Sequence, residues 1–298
     1  MAETTDSGRY VGRFAPSPTG PLHMGSLIAA LASFLDARAN QGSWLVRMED
    51  LDPPREVQGA AAQILDQLQQ FGMQWDGEVL YQSQRHGAYS RALSRLEARG
   101  LVYRCDCSRA RIRALGSVYD GHCRERSLPP TAHFALRLRT DMTPVTFSDA
   151  IQGDRRQVVE REVGDFVIRR KDGLFAYQLA VVVDDAYQNI SHVLRGYDLL
   201  ESTARQIYLQ RCLQLPMPGY AHIPIIVNAD GEKLSKQHFA RPVNAAMAPQ
   251  LLHEALKFLG LRPPADQRQA KVATQLEWAI GHWDIQSVPK LATIPELS

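Results

Sequence analysis

Apolar and polar positions follow two different rhythms along this chain. A short apolar run, Val11 to Phe14, precedes a loop rich in Pro and Gly, and Leu27 to Ala39 is then almost continuously apolar. The first run predicts a strand and the second a helix. Trp44 to Met48 predicts the next strand. Val57 to Phe71 spaces its apolar residues near 3.6 and predicts an amphipathic helix. Ala88 to Arg99 supplies another helix, ended by Gly100 at a C′-like position. Strands alternating with helices from Tyr10 to about Arg104 predict a parallel sheet with nucleotide bound at its carboxyl edge.

The rhythm changes between Cys105 and Phe175. This stretch holds the Pro129-Pro130 break, strand-like runs at Phe134 to Leu138, Val158 to Glu162 and Phe166 to Arg169, and the hairpin signal Lys171-Asp172-Gly173. It reads as an antiparallel insertion that splits the α/β fold. From Ala176 to about Ala240 the α/β pattern resumes, with strands at Leu179 to Val183 and His192 to Arg195, a helix from Ser202 to Leu213, and a last strand at Ile223 to Val227. Asp184-Asp185, at the end of the first of these strands, is a polar site without an assigned role. From Arg241 onward the pattern is helical, with Leu251, Leu252, Ala255, Leu256 and Leu259 on one face. The reading divides the chain into 9–104, 105–175, 176–240 and 241–298.

Composition narrows this picture modestly. A chain of 298 residues, 45% hydrophobic and 22% charged, is an ordinary globule with room for proper cores. A formal charge of +2 allows nucleic acid as a partner without demanding it. Met1 to Gly8 is polar and is no signal peptide, and the longest apolar stretches are far too short to span a bilayer. A cytoplasmic monomer with no membrane contact is expected. In that reducing setting the four cysteines do not read as a disulfide framework. Cys105, Cys107 and Cys123 cluster and read as a zinc site. Spacing offers His122, Tyr119 or Asp106 as a fourth ligand, and ligand chemistry alone favours the imidazole. Cys212 reads as a small core residue.

Two motifs carry the chemistry. Pro16-Ser17-Pro18-Thr19-Gly20-Pro21-Leu22-His23-Met24-Gly25-Ser26 lies between the first strand and the first helix. A strand, a loop and a helix start make an anion-binding corner, because unpaired backbone N–H groups and the helix dipole face the loop. His23 and Ser26 add donors, and Gly25 lets a flat ring approach the backbone. Lys233-Leu234-Ser235-Lys236 places two mobile ammonium groups on a second loop, suited to a triphosphate whose charge grows during attack. Together they suggest a nucleotide whose α-phosphate is attacked by a carboxylate. Arg13 and Arg195, each at the end of a predicted strand, are placed to meet carboxylates. Glu49, closing the second strand, suits an ammonium, and Ser17 and Tyr177 add hydroxyls.

PLHMGS and KLSK resemble the HIGH and KMSKS signatures of class I aminoacyl-tRNA synthetases. Arg13 to Gly20, followed by Arg47-Met48-Glu49-Asp50-Leu51-Asp52, is similar to the glutamyl/glutaminyl branch. The cysteine spacing, C-x-C, eleven residues, a Tyr, three residues and a Cys, resembles the glutamyl-Q tRNA(Asp) synthetase family, as does the short length after Lys236. The resemblance runs from Arg13 to about Lys236. It implies a Rossmann-type parallel sheet split by a zinc-containing insertion, with a short helical C-terminal region. It implies Arg13, Phe14, Ala15, Pro16, Ser17, Glu49, Tyr177 and Arg195 as the glutamate-binding positions, and Cys105, Cys107, Tyr119 and Cys123 as zinc ligands. His23, Gly25, Ser26 and Lys236 would bind ATP, entering with magnesium; His23 would hydrogen-bond to the phosphates as attack proceeds, and Lys236 and Lys233 would stabilise the departing pyrophosphate. The implied reaction is tRNA-independent activation of L-glutamate and its transfer to queuosine in the anticodon of tRNA(Asp). A truncated glutamyl-tRNA synthetase charging a terminal adenosine is the nearer alternative. The other is an idle RNA-binding paralogue with Arg104, Arg109, Arg111 and Arg113 as a phosphate patch.

Overall fold

The computed structural model describes residues 9–129, 133–228 and 242–295. β1 (Val11–Phe14) runs through a loop into α1 (Met24–Ala39), and β2 (Ser43–Met48) returns beside β1 in parallel, with Val11 opposite Ser43 and Phe14 opposite Val46. α2 (Ala60–Gln70) leads to the two-residue β3 (Leu80–Tyr81), parallel to β2, and α3 (His86–Ala98) follows. In the middle of the chain come β4 (Val102–Cys105), α4 (Arg109–Ala114), β5 (Ala135–Leu138), β6 (Val145–Asp149), β7 (Gly153–Gln157), α5 (Val159–Glu162) and β8 (Val167–Arg169). The remainder is α6 (Tyr177–Tyr187), β9 (His192–Gly196), α7 (Leu200–Leu213), β10 (Gly219–Ile223), β11 (Ile225–Val227), α8 (Ala248–Phe258), α9 (Val272–Gly281) and β12 (Thr293–Pro295).

β9 and β10 pair in parallel, β6 joins β10 through Asp149 and Tyr220, and β7 closes a hairpin on β6. β1 lies against β9: Ser191 N–H donates to Val11 O at 3.0 Å, and Val11 N–H to Ser191 Oγ at 2.8 Å. The hairpin β6–β7 comes from the stretch read as an insertion, yet it extends the sheet of β9 and β10. β4, β5 and β8 form a separate antiparallel sheet. Successive strand residues serve opposite faces. Leu194, Ala221 and Ile223 join the core of α1, α2, α8 and α9, whereas Val193 and Tyr220 join that of α3, α6 and α7. Burial on both faces is what a parallel sheet requires, and it holds the strand ends in register.

Several sequence expectations change in detail. Leu179 to Val183, expected as a strand, lies inside helix α6. That helix buries Gln178 to Val182 and Asp184-Asp185 between other elements, so no 3.6-residue alternation remains to reveal it. Val158 to Glu162 forms a helical turn instead of a strand, with Val158 N–H donating to Glu162 Oε1 at 2.7 Å. The expected strand Ile223 to Val227 splits at Pro224, which has no N–H for a ladder. α2 starts at Ala60, after Gly59, rather than at Val57. The C-terminal region is helical through α9, but β12 then pairs in parallel with β11. Among the described residues no helix is long and apolar enough to cross a membrane.

Candidate active site

The ends of β1, β2, β9 and β10 open into a cavity of about 720 Å³. Its wall on the loop side is built by the residues after β1. Gly20 takes φ of +137°, a backbone region that glycine enters without a Cβ clash. The loop is tied to its surroundings because Glu49 N–H donates to Pro16 O at 2.9 Å and Val57 N–H to Pro18 O at 3.0 Å. His23 is the N-cap of α1. Its N–H donates to Ser26 Oγ at 2.8 Å, and its Nδ1 accepts Ser26 N–H at 3.4 Å. Accepting at Nδ1 leaves the proton of a neutral ring on Nε2. Capping and cavity lining therefore belong to the same residue: His23, Gly25 and Ser26 all line the cavity.

Arg13 and Glu49, which line the cavity, belong to a buried ionic cluster. Arg13, on β1, and Arg47, on β2, share Asp185 of α6, at 3.3 Å from Nε and 2.7 Å from Nη1 respectively. Arg47 also meets Glu49 at 3.3 Å and Gln188 at 2.9 Å. Burial pushes the Glu49 carboxyl up, and Arg47 and Arg13 oppose that. Burial also works against the Asp185 charge, but Arg47 and Arg13 outweigh it and hold the carboxyl below its ordinary value. Asp184 turns the other way, toward Arg85 at 2.6 Å, Tyr89 Oη at 2.6 Å and Gln82 at 2.9 Å. The Asp184-Asp185 pair thus lies on a helix and anchors it, where the sequence had suggested a strand end.

Arg195, on β9, is surrounded differently. Its Nε donates to His222 Nε2 at 3.0 Å, Nη2 to Thr203 Oγ1 at 2.9 Å and Leu199 O at 3.3 Å, and Nη1 to Tyr177 Oη at 3.4 Å. Among the described residues its guanidinium forms no salt bridge with a carboxylate. Arg13 to Ser17, Glu49, Tyr177 and Arg195 all line the same cavity. The structure therefore brings together every residue that the sequence pointed to there, except Lys233 and Lys236, which lie outside the described residues. Leu199, Asp198 and Arg55 also line the cavity and were missed.

Away from this cavity, Cys105, Cys107 and Cys123 gather their Sγ atoms within 4.8 Å of one another. Tyr119 Oη lies 3.5 Å from Cys105 Sγ and 3.6 Å from Cys107 Sγ, and Cys107 and Cys123 are 3.5 Å apart. Thiolates about 2.3 Å from a tetrahedral zinc stand about 3.8 Å from each other, so the donor set fits that ion. Burial opposes ionisation of Cys105, but hydrogen bonds from Tyr119 and Arg137 outweigh it and bring the thiol down to about 7. Arg137 stacks over the Tyr119 ring at 3.7 Å. His122 is exposed and uses its backbone on Asp120, and Asp106 is held by Arg126 at 2.8 Å. Gly164, with φ of +74°, lets the Tyr119 backbone pass so closely that a Cβ would stand 2.2 Å from Tyr119 O. Of the four arginines read as a phosphate patch, Arg104 covers the Phe134 ring and Arg111 pairs with Asp120.

Comparison with known proteins places this architecture. A family model for the catalytic domain of class I tRNA synthetases (E and Q) matches residues 10–270. A glutamyl-Q tRNA(Asp) synthetase of Pseudomonas fluorescens is 51% identical over 296 residues, 99% of either chain. One of Neisseria meningitidis serogroup C is 52% identical and covers 96% of this chain and 99% of its own. Among solved structures, the glutamate-tRNA synthetase of Elizabethkingia anophelis superposes with a TM-score of 0.81 at 26% identity, covering 98% of this chain and 68% of that one. Identity at this level, sustained over the whole fold, leaves one assignment: the chain belongs to the class I aminoacyl-tRNA synthetases, as a ligase of the glutamyl-Q tRNA(Asp) synthetase family.

Proposed function

We propose that this ligase activates L-glutamate with ATP, without tRNA, and transfers it to queuosine in the anticodon of tRNA(Asp). The observation that carries the glutamate half is the pairing, in one cavity, of the loop around His23 with an Arg195 whose guanidinium, among the described residues, meets only neutral groups. A carboxylate of the substrate satisfies that cation, while Glu49 receives the ammonium and Ser17 and Tyr177 add hydroxyls. Arg13, already paired with Asp185, contributes a second cation to the other carboxylate.

Activation needs no side-chain nucleophile. A carboxylate oxygen of glutamate attacks the α-phosphate, a new P–O bond forms, and the bond to pyrophosphate breaks. The protein positions the reactants and stabilises charge. Magnesium enters with the triphosphate, His23 and the start of α1 face the phosphates, and Lys236 and Lys233 neutralise the leaving group. Cys105, Cys107, Tyr119 and Cys123 would hold a structural zinc, which stiffens the small sheet of β4, β5 and β8 and takes no part in the reaction. The transfer acceptor rests on the names of relatives about half identical to this chain.

Glutamate-dependent ATP–pyrophosphate exchange without tRNA tests activation. Labelled glutamate offered to tRNA(Asp) from queuosine-proficient and queuosine-deficient cells tests transfer. Label on the proficient tRNA alone, mapped to the anticodon, is expected. Label on both tRNAs, or on the terminal adenosine, would replace this reading with a truncated glutamyl-tRNA synthetase, and no exchange at all with an idle RNA-binding paralogue.

A further inference from the structure

We propose that Asp149 and His222 are positioning residues that set the orientation of Arg195 and thereby the preference for glutamate over glutamine. This inference rests on the reading that Arg195 meets a carboxylate of glutamate, and takes that group to be the side-chain one. The three residues stand on neighbouring strands β6, β10 and β9, all buried. Asp149 is held first. Its Oδ1 accepts the backbone N–H groups of Ile151 at 3.1 Å, Gln152 at 2.9 Å and His222 at 3.1 Å. Its Oδ2 then faces His222 Nδ1 at 2.5 Å.

An ionised carboxylate accepts only, so the imidazole proton sits on Nδ1 and Nε2 presents a lone pair. That lone pair receives Arg195 Nε–H at 3.0 Å. Burial keeps the ring neutral, pushing its pKa down to about 4 against the pull of Asp149. The consequence is a division of labour. A carboxylate in direct contact with Arg195 would neutralise it and compete with the ligand. Here the carboxylate stands one ring away: it offsets the cost of burying the guanidinium and fixes the ring's tautomer. The Nη1 side of Arg195 remains turned toward Tyr177 and the cavity. A charged carboxylate gains from that cation, whereas the amide of glutamine leaves it uncompensated.

Asp149→Asn isolates the effect, because it preserves shape and the backbone contacts. Its amide now donates to Nδ1, the ring proton moves to Nε2, and two donors confront each other at Arg195. The exchange assay is run on the full chain with wild type, Asp149→Asn, His222→Leu and His222→Gln, whose amide oxygen reproduces an acceptor near Nε2. Asp149→Asn and His222→Leu should raise the KM for glutamate about tenfold or more, with kcat and the KM for ATP nearly unchanged, and lower the glutamate-to-glutamine ratio. His222→Gln should recover most of both. Wild-type glutamate KM and ratio in Asp149→Asn would overturn the inference, as would equal loss in His222→Gln and His222→Leu or a parallel rise in the KM for ATP. If His222→Leu does not fold, Asp149→Asn decides alone. Wild-type protein without glutamate-dependent exchange would overturn the functional reading and this inference with it, whereas active wild type with an unaffected Asp149→Asn removes this inference only.

Discussion

Arg47 and Asp185 form a fully buried ion pair, 2.7 Å between Nη1 and Oδ1, that ties the end of β2 to helix α6 beneath the cavity. The carboxylate serves Arg13 as well, so one acidic residue orders two arginines from adjacent strands. Such a pair adds little net stability when whole and costs much when halved, because the surviving charge stays buried.

Asp185→Ala therefore should lower the unfolding free energy by about 3–5 kcal/mol, the usual cost of stranding a buried charge. Urea unfolding measures it. A loss within the error of wild type would mean that Glu49 and Gln188 alone suffice to hold Arg47.

Arg195→Ala should abolish most of the preference for glutamate over glutamine. Loss of a desolvated charge-paired contact is worth on the order of 2–5 kcal/mol, hence a large change in the ratio of kcat/KM values. Exchange rates with both amino acids provide the comparison; equal discrimination in wild type and variant would remove Arg195 from the specificity argument.

The thiol cluster predicts about one zinc per chain by elemental analysis. Tyr119→Phe should weaken retention of the ion against a chelator, and His122→Ala should not. Gly164→Ala should act like Tyr119→Phe, because a Cβ there pushes the Tyr119 backbone away. Metal-free protein that folds normally would end the zinc assignment. Retention in Tyr119→Phe with loss in His122→Ala would move the fourth ligand to the imidazole.

His222 gives the fold a pH dependence of definite sign. Its folded pKa of about 4 lies below the ordinary 6.5, so the unfolded chain takes up the proton first. Stability from the neutral ring is complete above about pH 6.5 and is lost as pH falls toward 4, up to about 3 kcal/mol over that span. Burial also pushes His192 and His253 down, and these act in the same direction. Only the His222 share should vanish in His222→Gln, so denaturation at pH 7 and pH 4.5 should show a smaller difference for the variant than for wild type. Identical differences would contradict a buried neutral His222.

Legibility in the sequence followed chain distance. Arg13 to Ser17 and His23 to Ser26 were readable because a strand, a tight loop and a helix start are local, and the side chains that meet there are neighbours in the chain. The thiol cluster was readable for the same reason, since its donors span only Cys105 to Cys123. Helix α6 was not: a helix buried on most sides loses its polar stripe, and Leu-Ala-Val-Val-Val then suits a strand equally well. Nor could spacing show that Asp185 serves Arg13 and Arg47, or that Asp149 reaches Arg195 through His222. These contacts join residues 27 to 172 positions apart, and sheet order alone makes them neighbours. Local sequence thus determined which chemical groups stand at the cavity's loop wall. Tertiary structure decided that Arg13 arrives already paired with a carboxylate while Arg195, among the described residues, is held by neutral groups, because partners in a buried ion pair are chosen by packing across the sheet.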